Sequence, residues 1–285
     1  MAPTVSAPLV KQVPVMPLPQ APLDPQAQAS FGRFHKCLSV LSDLSGSAIC
    51  AWASSLEGIR LDELPRYPGL EHRLSEAMLA RTPIDRLAPR TPSEIAALPS
   101  ARRLLSSALS GSPSDFAGAL AALHSNICDS QPGLRTCEVR SFPDRRGSHV
   151  VFPQAHHIRP GLERLHDFIG NHLASAPGLT AAVAMTSICN LHPFSDGNGR
   201  VSRILFNALL GLSAGPTPPY VPLHELGRVS RGGFLIAMRL AQYRGEWMPL
   251  AQFLSSTAHV MESIHRASAH MSLSASTRRP ATFPP

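Results

Sequence analysis

Lysine is almost missing from this chain: only Lys11 and Lys36 stand among the 26 basic residues in 285 positions. The net charge of +7 therefore rests on arginine. The arginines are scattered, and no aromatic-basic reading module accompanies them, so nucleic acid is not the expected partner. Cysteine is sparse as well. Cys37, Cys50, Cys128, Cys137 and Cys189 form an odd set without a C-x-x-C spacing, which excludes a disulfide framework or a zinc site and leaves buried thiols as the expectation. No stretch reaches the roughly 18 uninterrupted apolar residues of a membrane span. The apolar residues of Val13-Pro14-Val15-Met16-Pro17-Leu18-Pro19 are broken by prolines, so no secretory h-region forms. A protein without a membrane segment is expected. No Gly-Lys-Ser/Thr follows any glycine-rich loop, which excludes a P-loop nucleotide site, and no internal repeat of solenoid length is present.

What the chain does have in excess is proline, 28 residues in all. Seven fall within residues 1–30, a stretch charged only at Lys11 and Asp24, and more return in the tail. Segments 1–30 and 268–285 are expected to be disordered. Between them the apolar spacing is mostly helical. Leu44, Ala48, Ile49, Trp52 and Leu56 share one face of a helix that Gly58 would end. A short helix is expected over 70–80, then one carrying Phe116, Leu120, Leu123 and His124. The segment 139–152 has two β-prone ends around an Asp/Arg/Gly turn and predicts a hairpin. Pro160 opens a helix with an apolar stripe at Leu162, Leu165, Phe168, Ile169 and Leu173. Residues 179–190 are apolar almost all round, which implies burial on most faces. Further helices are expected over 201–212, 233–243 and 248–264. The fold class is thus all-α with a small β-hairpin, arranged as a helical region over 31–112 and a catalytic domain over 113–267.

Between the two most apolar helices lies His192-Pro193-Phe194-Ser195-Asp196-Gly197-Asn198-Gly199-Arg200-Val201-Ser202-Arg203. Gly197, Asn198 and Gly199 tolerate backbone angles closed to most residues, so successive N–H groups can turn inward as an anion nest. The nest opens onto a helix N-terminus, where backbone donors and dipole favour phosphate. Arg200 and Arg203, three residues apart, can reach one polyphosphate. Asp196 is the hard oxygen ligand that Mg prefers beside phosphates, and His192 stands ahead of the loop as a base for an attacking hydroxyl.

The segment resembles the Fic-family signature H-P-F-x-D/E-G-N-G-R-x-x-R at every specified position. The likeness extends to Leu123-His124, Pro132-Gly133 and Arg135, to 139–152 as the family's flap, and to Gly245-Glu246-Trp247-Met248-Pro249 with Phe253-Leu254. The resemblance implies a protein adenylyltransferase using Mg and ATP. His192 would then be the base and Asp196 the metal ligand. Gly197, Asn198, Gly199 and Arg200 would cradle the α- and β-phosphates, and Arg203 would hold the γ-phosphate. Phe194 would anchor the loop, while the flap would align the target protein's backbone as an added strand.

A second family feature is an inhibitory helix with S/T-x-x-x-E-G/N, whose Glu pairs with the motif's second arginine. Glu57-Gly58 is similar, but Ala53 stands at the hydroxyl position and Ser54 lies one place late. Glu57 is the inhibitory candidate on this resemblance. Related enzymes move UMP, phosphocholine or phosphate, and a catalytically silent binding module is the alternative from another class. The intact Gly197-Asn198-Gly199-Arg200 favours AMP over the kinase-like variants, and retention of His192, Asp196 and both arginines argues against the silent module. A homodimer is left open. A bacterial cytoplasmic location is expected, with export into a host as the alternative suggested by the proline-rich start and the scarcity of lysine.

Overall fold

The computed structural model describes residues 10–19, 24–42, 44–55, 90–130, 133–141, 149–213, 217–230 and 232–276. Along the chain these form β1 (Val10–Gln12), α1 (Pro25–Ser39), α2 (Gly46–Ser55), α3 (Thr91–Leu109), α4 (Pro113–Cys128), β2 (His149–Val151), a 3-10 turn (Ala155–His157), α5 (Ile158–His172), α6 (Pro177–Leu191), α7 (Asn198–Leu212), α8 (Leu223–Val229), α9 (Gly233–Arg244) and α10 (Met248–Ser276). The all-α class with a small β element is what the apolar spacing predicts. No helix among the described residues is long and apolar enough to cross a membrane.

The centre is the α6–α7 pair. Every residue of α6 from Gly178 to Ile188 is buried, and α7 buries Val201, Ile204, Leu205, Phe206, Ala208 and Leu209. The pair packs face to face, with α1, α5 and α9 against α6 and α3 and α4 against α7. This arrangement is why α6 lacks a polar stripe: each of its faces meets another helix. The loop joining the two central helices is held between rigid elements, and that loop is the signature motif.

Several local signals read correctly. A capping box formed by Ser112 and Asp115 starts α4, whose Phe116, Leu120, Leu123 and His124 are buried as their spacing predicts. The two ends of the hairpin expected over 139–152 pair in a short ladder, Ser141 N–H donating to Val150 O (2.7 Å) and Phe152 N–H to Val139 O (3.0 Å), while the turn between them lies outside the described residues.

Other expectations need correction. Within the N-terminal stretch read as disordered, β1 pairs with β2, Val13 and Met16 are buried, and α1 begins at Pro25 under an Asp24 cap. The isolated composition gave no sign that a folded partner would supply the contacts. Helix α10 continues past 268 to Ser276. Helix α3 was hidden by Pro92 and Pro99, yet Pro92 sits in its first turn, where no N–H is needed, and Leu98, Ala101, Leu105 and Ala108 still line its buried face. The thiols are not fully buried: Cys137 is exposed and the other four are half-buried, all free. The helix expected over 70–80, and Gly58 as a helix end, lie outside the described residues.

Candidate active site

Helix α6 ends at His192, which adopts a left-handed C-cap (φ 51°) and donates its N–H to Ile188 O at 3.0 Å. The following turn is stapled by one side chain: Phe194 N–H donates to Asn198 Oδ1 (3.0 Å), and Asn198 Nδ2 donates back to Phe194 O (2.8 Å). Phe194 is buried, and His124 of α4 stacks on its ring with centroids 4.0 Å apart and planes within 3°. His124 Nε2–H donates to Asp196 O (2.9 Å), which leaves Nδ1 to accept from Ser130 Oγ (3.2 Å). Gly197 (φ 80°) then caps α7, and a Cβ there would collide with Cys128 Sγ and come within 3.1 Å of His124 Nε2.

The expected three-residue nest is narrower than the sequence suggests. Within it only Gly197 takes a positive φ, while Asn198 and Gly199 already belong to α7. The first helical bond is Val201 N–H to Gly197 O (3.0 Å), so the N–H groups of Asn198, Gly199 and Arg200 head the helix without helical acceptors. Such a helix terminus is suited to an anion through its N–H groups and dipole. The Asn198 amide itself is spent on the turn, which limits its part in any phosphate cradle to its backbone.

His192 sits at the mouth of this site. Burial pushes its pKa down to about 4, with the Cys189 carbonyl opposing and Arg135 adding to the fall. Its Nδ1 faces Cys189 O at 3.4 Å, a long contact that leaves Nε2 as the free base nitrogen. Phe152, the residue after β2, stacks on the imidazole at 3.6 Å between centroids. The Asp196 side chain is 93% exposed and pairs with Arg200 (3.1 Å). No cluster of three or more His, Cys, Asp or Glu able to hold a metal exists among the described residues. A cation here would rest on Asp196 and on phosphate oxygens, which suits the reluctance of Mg to enter an all-protein cage.

Arg203 is already engaged. Its Nε lies 3.1 Å from both carboxylate oxygens of Glu94, and its Nη2 donates to Glu94 Oε1. Glu94 is 1% exposed and also accepts from Tyr220 OH. Although burial disfavours charge, Glu94 raises the Arg203 pKa, and burial together with Glu94 pushes the Tyr220 hydroxyl well above its ordinary value. The start of α3, three residues ahead of Glu94, is held by Glu225 of α8. The Glu225 carboxylate accepts from Arg90 N (2.7 Å), Thr91 N (3.1 Å) and Thr91 Oγ1 (2.6 Å), capping α3 from outside the helix.

Residues 115–210 match the model of the Fic/DOC family. This segment is a Fic domain. The protein adenylyltransferase Fic of Drosophila willistoni is 32% identical over 108 residues, which is 35% of this chain and 20% of that protein. The Drosophila melanogaster protein of the same name gives the same figures. The chain thus matches only a fifth of the length of these curated relatives. A Fic family protein from Desulfovibrio desulfuricans superposes with a TM-score of 0.56 at 15% identity, covering 88% of this chain and 77% of that one. That likeness shows the fold.

The Fic domain brings His192, Asp196, Gly197, Asn198, Gly199 and Arg200 to the head of α7, with Arg203 one turn along. Glu57 lies outside the described residues. Glu94 was missed because the residues around it do not fit the inhibitory pattern: Arg90 stands at the hydroxyl position and Ile95 follows the glutamate. The role of Arg135 was also invisible. Its guanidinium donates to the carbonyls of Leu191, His192, Cys137 and Pro153, and its own N–H to Pro193 O (2.9 Å). One buried side chain thereby ties the residues on either side of segment 139–152 to the motif. Nothing in its neighbourhood in sequence marks an arginine as a clamp, because every acceptor is a backbone atom.

Proposed function

We propose that this Fic domain transfers AMP from ATP to a hydroxyl side chain of a target protein and releases pyrophosphate. The observation that carries the reading is the convergence at the head of α7: a neutral, half-buried imidazole, three N–H groups without helical acceptors, and Arg200 paired with one exposed carboxylate, with Arg203 one turn along the helix. The polyphosphate would lie across the helix N-terminus, with Arg200 on the α- and β-phosphates. Asp196 fits a hard divalent cation because its carboxylate faces solvent beside the phosphate site. When bound, that cation supplies charge neutralisation for the leaving pyrophosphate.

His192 Nε2 takes the proton as the target oxygen bonds to the α-phosphorus, and the bond to the β-phosphate oxygen breaks in line. With a pKa of about 4 the imidazole is unprotonated at neutral pH, so no deprotonation precedes attack. The left-handed backbone at His192 and the Phe152 ring on its face hold the base in place before substrate arrives, which is where positioning contributes most.

Glu94 then acts as the brake on this reaction. While it holds Arg203, that arginine is withheld from the γ-phosphate, and the resting enzyme is slow. The role inferred for Glu57 by resemblance passes to Glu94 because Arg203 is already bound to it. The decisive experiment incubates the Glu94→Gly chain with labelled ATP, UTP or CDP-choline and a cell lysate. Label from ATP should appear on protein and vanish in Glu94→Gly/His192→Ala. Transfer that persists without His192, or that uses another donor, would overturn the assignment.

A further inference from the structure

Strand β2 is paired on both edges. One edge carries the flap's own partner, residues Val139–Ser141. The other carries β1 in parallel register, Val10 opposite His149, Lys11 opposite Val150 and Gln12 opposite Val151. Val13 N–H extends the ladder to Val151 O at 2.8 Å. The chain then passes Asn190, whose buried amide donates through Nδ2 to Pro14 O (3.1 Å) and accepts from Met16 N–H through Oδ1 (2.8 Å). Val13 and Met16, three residues apart, are buried, while Gln12, Pro14 and Pro17 are exposed.

This is the geometry of peptide recognition by strand addition: backbone ladder, backbone-reading amide, and two apolar side chains for specificity. None of its polar contacts depends on the identity of a strap side chain. Any extended segment with apolar residues at the first and fourth positions meets the same donors and acceptors. The groove leads to the base, for the residue after Val151 is Phe152, which stacks on His192. It is also underfilled: a cavity of about 270 Å³ lies between Val13 and Val15 on one side and Pro153, Gln154 and His157 on the other.

We propose that residues Val10–Met16 are a displaceable strap that occupies in cis, as a stand-in for the target, the β2 edge and the Asn190 amide, the edge along which the family resemblance would lay a target's added strand. No Ser, Thr or Tyr occurs from Val10 to Pro19, so the strap fills the groove without offering a hydroxyl to modify. Pro14 and Pro17 fix φ near the extended range, which lowers the entropy lost on docking. Because the strap is tethered, it competes at high effective concentration, and a target in trans binds only in proportion to the fraction of time the strap is away. That the visitor is a target for AMP transfer rests on the reading above; occupancy of the groove by the strap does not.

The test reads binding in the absence of nucleotide, so it stands apart from the fate of the transferase assignment. A fluorescein-labelled synthetic peptide of residues 8–19 is titrated, by anisotropy, against the full chain and against full-length Val13→Pro/Met16→Asp, which removes the ladder donor and one apolar anchor. The altered chain should bind the peptide at least about tenfold more tightly than the unaltered one. A peptide carrying the same two changes should bind neither. Equal affinity of both chains for the unaltered peptide, or no binding to the altered chain while its circular-dichroism melt is intact, would overturn the proposal. Should the altered chain fail to fold, amide exchange on the unaltered chain decides. The Val13 and Met16 amides should be protected and should lose protection in excess unlabelled peptide. Free-peptide exchange rates, or protection indifferent to the added peptide, would equally overturn it.

Discussion

At Gly197 two requirements meet that no other residue satisfies together. The backbone is left-handed, and the space a methyl would enter is held by Cys128 and by the His124 ring that also bonds Asp196. Gly197→Ala should cost about 1–2 kcal/mol for the left-handed angle alone, with the collision added. It should also lower transfer more than tenfold, because moving the head of α7 misplaces every donor of the anion site. Thermal melting and the rate of labelled-AMP transfer in the Glu94→Gly background would check both; a variant that melts and transfers like its parent would show that the turn has room to move. Arg135 shows the same economy of residues. Its guanidinium presents a fixed fork that four carbonyls surround, an arrangement a lysine ammonium does not reproduce.

At the scale of elements, the proposed brake is carried by α3. It packs on α4 and α7, its N-terminus is capped by Glu225, and it delivers Glu94 to Arg203 and Tyr220. Glu94→Gly is expected to raise transfer by roughly tenfold to a thousandfold, corresponding to about 1.4–4 kcal/mol of restored transition-state contact. It should also lower the melting temperature by several degrees, because Arg203 is left as a buried, unpaired charge and Tyr220 loses its acceptor, at a cost of about 3–5 kcal/mol. Mg-ATP should then recover more of the melting temperature in the variant than in the unaltered chain, since phosphate replaces the missing carboxylate. Calorimetry with and without nucleotide would test this, and an equal nucleotide shift in both chains would count against Glu94 as the brake. Glu94→Gly/Arg203→Ala should lose the gain in rate, because the released arginine produces it.

Across the whole molecule, acid should weaken the fold through histidine. His192 and His224 both have pKa values lowered to about 4, chiefly by burial, with Arg135 adding at His192 and Arg203 at His224. Their unfolded-state values lie near 6.5, so the unfolded chain takes up protons first as pH falls. Stability from these two groups is fully present above about pH 6.5 and is lost progressively between there and about pH 4, at up to about 1.4 kcal/mol per pH unit for each. Denaturant midpoints from pH 7.5 to 4.5 should show this slope, and His224→Asn should make it shallower; a flat profile would mean that neither ring is neutral in the fold. The rate of transfer should hold from pH 8 down to about 5 on its base limb, because His192 stays unprotonated. What the sequence by itself determined was what periodicity and local chemistry can encode: the helical class, the hairpin at 139–152, the burial of residues 179–190, and the motif from His192 to Arg203. In each case the signal lies within a few neighbouring residues. Tertiary structure alone decided that Glu94, 109 positions away, holds Arg203, that Arg135 clamps backbone carbonyls from two segments, and that a proline-rich start becomes a strand on β2. Those contacts join residues far apart in the chain, most of them through backbone atoms identical at every position, so no local pattern records them.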